Sequence, residues 1–254
     1  MPASANRVTK RSITARRVIA TGLPDNRSPE LGGAYAHALK SVVVGPDGAI
    51  YFSIGSTGNA SAQDRTAHPE RATIMRIPPA GGPYDVFARG VRNGTGLAIA
   101  PDGSVWTAVN NRDNVADPNP GPNYGQVIGS YVDDHPPESL ARLAAGRELG
   151  FPYCNPEGSG ANASFVRDVQ TNADGRKLDC VALSPVEQTL GAHAAPLGLA
   201  FTNGVLPAPY TRGALAGVHG SSLAQAGARH ERAGNSVSLG SRRDSTGRRS
   251  CSGP

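Results

Sequence analysis

The chemistry-bearing residues of this chain sit in four short stretches. His37 stands in Tyr35-Ala36-His37-Ala38, eight residues ahead of Gly45. An imidazole ordinarily titrates near neutral pH, the property that suits a side chain to take a proton from a hydroxyl. Arg92 and Asn93 lie between glycines in Gly90-Val91-Arg92-Asn93-Gly94, where a planar cationic fork beside an amide fits an anionic ligand or a flat conjugated ring. Asn110-Asn111-Arg112-Asp113-Asn114 and, further on, Asp133-Asp134-His135-Pro136-Pro137-Glu138 are rich in oxygen donors of the kind a hard cation such as calcium takes. Each stretch has an ordinary alternative as a packed residue, a solvated loop charge or an Asn/Asp turn, so what matters is whether the chain brings them together.

The elements that would do so are written twice. VVVGPDGAIYFSIGSTGN at 42–59 and LAIAPDGSVWTAVNNRDN at 97–114 align on Pro46-Asp47-Gly48 and Pro101-Asp102-Gly103, about 55 residues apart. In each copy Pro pre-sets the first turn position, and Gly supplies the positive φ that closes a hairpin between two β-rich runs. A weaker third copy is Gly198-Leu199-Ala200-Phe201 before Asn203-Gly204. A repeat of about 40–55 residues built from antiparallel hairpins is the signature of propeller blades, which bury their faces against neighbouring blades. His37 precedes the first hairpin, Arg92 and Asn93 the second, so both fall at the equivalent end of successive blades, where loops on a rigid scaffold build sites.

Composition agrees with a turn-rich all-β protein: 254 residues with 32 Gly, 21 Pro and 5% aromatics. Helical periodicity is nearly absent. The best helix candidate, Pro137–Leu143, reads equally well as a strand. The net charge of +5 comes from the flanks: residues 1–20 hold five Lys/Arg and no acid, and residues 221–254 hold six Arg against two acids. Neither flank interleaves aromatics with its charges, so nucleic acid is not the expected partner. No run of about 18 apolar residues would span a membrane, and the basic N-terminus lacks the apolar stretch of a signal peptide. Cys154 and Cys180 either pair in an oxidising compartment or remain two thiols, and no two of the three cysteines have zinc-ligand spacing. After Gly220 the composition shifts abruptly to Ser, Arg, Gly and Ala, with three large aliphatic residues, Leu223, Val237 and Leu239, up to Pro254. Such a tail is expected to be disordered, and it reads like a coding sequence translated in a shifted frame.

These pieces, taken in order, resemble the soluble quinoprotein sugar dehydrogenases of the glucose/sorbosone dehydrogenase family, sorbosone-like branch. The resemblance rests on His37 followed by GPDGAIYFSIGSTGN, GVRNGTGLAIAPDGSVWTAVNNRD, PPESLARLAAGRELGFPYC, AHAAPLGLAF and GALAGVHGS, and covers about residues 18–220. It implies a six-bladed β-propeller that binds pyrroloquinoline quinone (PQQ) with Ca2+ and oxidises an aldose or sorbosone-like sugar at C1, passing electrons to an external acceptor. By the same resemblance, His37 is the general base and Arg92 lies against the quinone. Arg92, Asn93, Asn110 and Arg112 contact the cofactor, and Arg112, Asp113 and Glu138 belong to the calcium-holding loop. Intact family members are longer and are exported to the periplasm or secreted. The expected architecture is therefore all-β, a partial propeller of about three blades over 18–220, between a flexible basic segment at 1–17 and a disordered tail at 221–254. Little or no activity is expected of the chain by itself. The competing readings are a non-enzymatic propeller serving as a binding module and a calcium-dependent lactonase-type propeller hydrolase.

Overall fold

The computed structural model describes residues 17–220 and the backbone of 236–237. The first hairpin joins β1 (Val42–Val44) to β2 (Ile50–Ile54), and β3 (Thr73–Ile77) and β4 (Asp85–Arg89) extend it antiparallel. The second joins β5 (Gly96–Ile99) to β6 (Val105–Val109). After a short helix, α1 (Gly129–Val132), its sheet gains β7 (Pro137–Leu143). An excursion then places β8 (Arg147–Glu148) parallel to β4 and folds β9 (Cys154–Pro156), β10 (Ala161–Ala163) and β11 (Phe165–Arg167), before β12 (Val186–Ala192) returns to pair with β7. The third hairpin is β13 (Pro196–Phe201) with β14 (Ala214–Val218), whose free edge pairs with the two-residue β15 (Ser236–Val237). The sheet orders β1-β2-β3-β4-β8, β10-β12-β7-β6-β5 and β13-β14-β15 are two blades and the inner half of a third, as expected of a partial propeller.

Both Pro-Asp-Gly turns close alike. Gly48 and Gly103 share φ of 83°, and Asp47 and Asp102 each accept the backbone N–H two residues on at 3.0 Å. The stretch offered as the best helix candidate, Pro137–Leu143, is strand β7. Its side chains alternate between neighbours on both faces of a buried sheet, and Leu140 and Ala141 are fully buried, so inter-strand pairing overrides any local helical preference. The segments 1–16 and 221–254, apart from β15, lie outside the described residues, and with them the expected disorder and frame shift.

Successive blades are tied along their inner strands. Ser41 Oγ donates to Thr95 O at 2.6 Å, and Thr95 Oγ1 donates to Pro196 O at 3.2 Å, linking the starts of β1, β5 and β13 in sequence. Gly96 makes this approach feasible, since a Cβ there would stand 2.8 Å from Ala108 Cβ and 3.3 Å from the Gly198 backbone. Between the first two blades the core holds Ile74, Val91, Val105, Val109 and Leu143, and between the second and third it holds Trp106, Leu140 and Leu190 against Leu199 and Phe201. At the two ends, Val42 and Val44 on β1 and Leu197 and Leu215 on β13 and β14 are exposed. Among the described residues no helix is long and apolar enough to cross a membrane.

Cys154 and Cys180 form a disulfide with Cα atoms 5.6 Å apart. The bridge closes a 26-residue separation across the excursion, and a loop of that size contributes about 3 kcal/mol in the chain-entropy account. A Cys154→Ser/Cys180→Ser variant is expected to lose about that much in urea unfolding. Reductant should shift the midpoint of the wild-type chain but not that of the variant, and identical midpoints throughout would show that the bridge carries no stability.

Candidate functional site

Antiparallel pairing of Val42 with Phe52, Gly96 with Ala108, Val109 with Ser139 and Pro196 with Val218 puts the start of β1, the end of β2, the starts of β5, β7 and β13 and the ends of β6 and β12 at one end of the blades. All seven candidate residues lie there. A cleft of about 910 Å³ lined by Trp106, Arg142 and Phe201 opens at the opposite end and includes none of them.

His37 is half-buried against the turn after β2. Its Nδ1 lies 2.9 Å from both Ser56 O and Ser56 Oγ. A carbonyl only accepts, so the proton sits on Nδ1, and the unprotonated nitrogen is Nε2, which has no hydrogen-bond partner among the described residues. Burial, and next the Arg92 charge, lower the His37 pKa to about 4, against the opposing pull of the Ser56 carbonyl and Asp113. The ring is therefore neutral at physiological pH, with a lone pair open on Nε2.

Arg92 is only 5% exposed. Its Nε donates to Asn59 O at 3.2 Å, one terminal nitrogen donates to Asn110 O and Asn111 O at 3.2 and 2.7 Å, and the other donates to Asn59 Oδ1 at 3.1 Å. Asp113 Oδ2 stands 3.9 Å away. Burial lowers the Arg92 pKa to about 10, with Asp113 and Glu138 opposing, which leaves the group cationic at neutral pH. The guanidinium thus fastens the loop after β2 to the loop after β6. Asn93, beside it, is buried and accepts the Asn110 N–H at its carbonyl, 3.0 Å away. The side-chain amides of Asn93 and Asn110 make no hydrogen bond among the described residues.

The other positions are held from behind. Arg112 points away into a buried pair with Asp168 at 2.6 Å and donates to Gln170 Oε1 at 2.9 Å. Asp113, with a side chain 42% exposed, receives His193 Nδ1 at 3.2 Å and exchanges hydrogen bonds with Asn59. Glu138 is buried and accepts the Asn111 and Ala195 backbone N–H groups, so it braces the loop after β6 and the entry to β13. Burial raises its pKa to about 8, more than those two hydrogen bonds and Arg92 lower it. A raised value means that the folded chain holds this proton more tightly than the unfolded chain. Stability should then fall as pH climbs from the ordinary carboxylate range through about 8. In Glu138→Gln that decline is expected to flatten in thermal melts taken at pH 5, 7 and 8.5, and an unchanged slope would assign it elsewhere.

Among the described residues no three His, Cys, Asp or Glu side chains converge on a metal position. With Arg112 paired and both Glu138 oxygens engaged, neither of these side chains is available to a cation, and the oxygens left open among these candidates are the Asp113 carboxylate, the Arg112 carbonyl and the Asn93 and Asn110 amides, a single carboxylate among them. A quinone fits as well. A buried cation, two unengaged amides and an open imidazole nitrogen are donors and an acceptor suited to a flat group carrying carbonyls and carboxylates.

Sequence reasoning missed Ser56, Asn59, His193 and Asp168, which hold the predicted residues in place. Asn59 alone had a signal, since it aligns with Asn114 at the end of the repeated hairpin. No protein-family model matches the chain, and no curated protein does. Solved structures match by shape. The holo form of the pyranose dehydrogenase PQQ domain from Coprinopsis cinerea superposes with a TM-score of 0.60 at 19% identity, covering 75% of this chain and 50% of that one. The calcium structure of a Trichoderma reesei protein of Carbohydrate-Active Enzymes Family AA12 gives 0.53 at 18%, covering 74% and 50%. The chain spans about half the length of the structures it matches. At this identity the likeness is one of fold: the blades of this chain are similar in architecture to the PQQ domain of pyranose dehydrogenase.

Proposed function

We propose that the chain is part of a quinoprotein sugar dehydrogenase and carries the proton-accepting half of its site. The observation behind this reading is the open Nε2 of a neutral His37 in the field of the buried Arg92 cation. PQQ, when bound, supplies the acceptor for the hydride that leaves the sugar carbon. The chain's own task is the matching proton. His37 Nε2 takes it from the hydroxyl on that carbon; with a pKa of about 4 the ring is fully unprotonated at neutral pH but a weaker base than an ordinary imidazole. Arg92, fixed by four hydrogen bonds, is a preorganised positive charge that stabilises negative charge arising beside it, while Asn93 and Asn110 offer amides to the cofactor. The Arg112 and Glu138 side chains shape this loop, and a Ca2+ beside the cofactor would be held by the Arg112 carbonyl, Asp113 and Asn110. The aldose and an external electron acceptor are the partners, and the Cys154–Cys180 bridge supports an oxidising, extracytoplasmic location.

The test is to titrate the purified chain with PQQ, with and without Ca2+, and then to add an aldose and a redox dye. The expected results are saturable PQQ binding that Arg92→Ala weakens and little or no dye reduction. No binding of PQQ would favour a scaffold role, and robust turnover would refute the expected inactivity of this length of chain.

A further inference from the structure

Ser56, fully buried, touches both of the residues to which the proposed chemistry is assigned, the His37 ring and the Arg92 backbone. Its backbone N–H donates to Arg92 O at 2.8 Å, and its carbonyl accepts from His37 Nδ1 at 2.9 Å. Its hydroxyl donates to Gly58 O at 2.8 Å, which turns the oxygen lone pairs toward the same His37 N–H, also at 2.9 Å. The surroundings admit little adjustment. Tyr35 OH donates to Gly55 O at 2.8 Å and Ala36 N to Thr57 O at 3.2 Å, so residues 35–37 and 55–57 are zipped together. Thr57 is anchored in turn by Asp64, which accepts from its N–H and its hydroxyl at 2.9 Å each. A Cβ on Gly55 would stand 2.5 Å from His37 Cβ, so only glycine lets the ring come this close.

We propose that Ser56 is a positioning residue: it holds His37 in the Nδ1–H tautomer and fixes that ring relative to Arg92. The proposal deepens the reading of His37 as a base and rests on it for its meaning, although its geometry stands alone. A neutral acceptor in this place orients the ring without adding negative charge. The charged groups acting on His37 are then Arg92, which disfavours protonation, and Asp113, which favours it more weakly. An aspartate in place of Ser56 would put a carboxylate on the Nδ1 side and favour the imidazolium.

The experiment is ¹⁵N–¹H spectroscopy of the His37 ring in the purified chain without cofactor, assigned by comparison with His37→Gln and followed from pH 4 to 8. The wild type is expected to show the Nδ1–H tautomer with Nε2 unprotonated at pH 7. Ser56→Ala is expected to weaken that bias and yield a mixture of tautomers, and Ser56→Asp to move the midpoint of His37 titration to a proton concentration at least tenfold lower. An Nε2–H tautomer in the wild type, or His37 signals unchanged in both variants, would overturn the proposal. Should a variant fail to fold, the wild-type tautomer decides. Failure of PQQ binding with the expected tautomer present would remove the functional reading and leave Ser56 in its role, and the reverse pair of results would do the opposite.

Discussion

Arg92→Ala should lower the stability of the chain by about 3 to 5 kcal/mol, the loss typical of removing one partner from a buried charged network. For a body of this size that amounts to a fall in Tm of roughly 10 °C. The cost does not come from the lost ion pair with Asp113, which stands 3.9 Å away with its side chain 42% exposed. It comes from three backbone acceptors, Asn59 O, Asn110 O and Asn111 O, that lose a charged donor together around a guanidinium that is only 5% exposed, while Asn59 Oδ1 keeps the Asp113 N–H. Hydrogen bonds to a charged group contribute about 1.5–3 kcal/mol each. Lysine is no substitute, because a point charge with three donors cannot reproduce the fork, so Arg92→Lys is expected to recover less than half of the loss. Amide exchange should speed up at the loops after β2 and β6. A melt within a degree of wild type would show that the clamp has no structural role.

Asp168→Ala should cost a comparable amount, again about 3 to 5 kcal/mol, although Asp168 touches no proposed ligand. One of its oxygens receives Arg112 at 2.6 Å and Asn155 Nδ2 at 2.9 Å, and the other receives the backbone N–H groups of Gln170 and Thr171 at 2.9 and 3.1 Å. Removing the carboxylate leaves the Arg112 charge buried and unpaired. Asp168→Asn preserves shape but loses the charge and presents an N–H₂ to one set of donors, so it is expected to fall between alanine and wild type. Urea unfolding measures both. The loop carrying Asn110 to Asp113 should loosen along with Arg112, so PQQ binding should weaken more than for a surface variant such as Asp174→Ala. Equal binding by the two variants would separate the excursion from the site.

The hairpin repeat was legible because turns are local chemistry. Pro-Asp-Gly sets its own backbone angles whatever surrounds it, and Gly48 and Gly103 adopt the same φ of 83°. Alternation of apolar residues around those turns then established an all-β chain, and the repeat period established blades. The same repeat placed His37 and Arg92 at matching ends of neighbouring blades, enough to bring them to one site. Pro137–Leu143 was ambiguous for the opposite reason: a strand buried on both faces shows no alternation, so its pairing with β6 and β12 was invisible in its residues.

What only the tertiary structure decided is how the site residues are held and which of their atoms remain open. Arg112, read as a cofactor contact, turns toward Asp168, which is 56 residues away in the chain. Glu138, read as a metal-loop acid, accepts backbone N–H groups from two different loops. Cys154 and Cys180 had two open fates, and a folded excursion that sets their Cα atoms 5.6 Å apart chose one. The sequence alone determined the element type, the repeat and the residue types available for chemistry, since those follow from short-range sterics and periodicity. Partners, charge states and open atoms depend on burial and on contacts between residues far apart in the chain, and these exist only once the blades have packed.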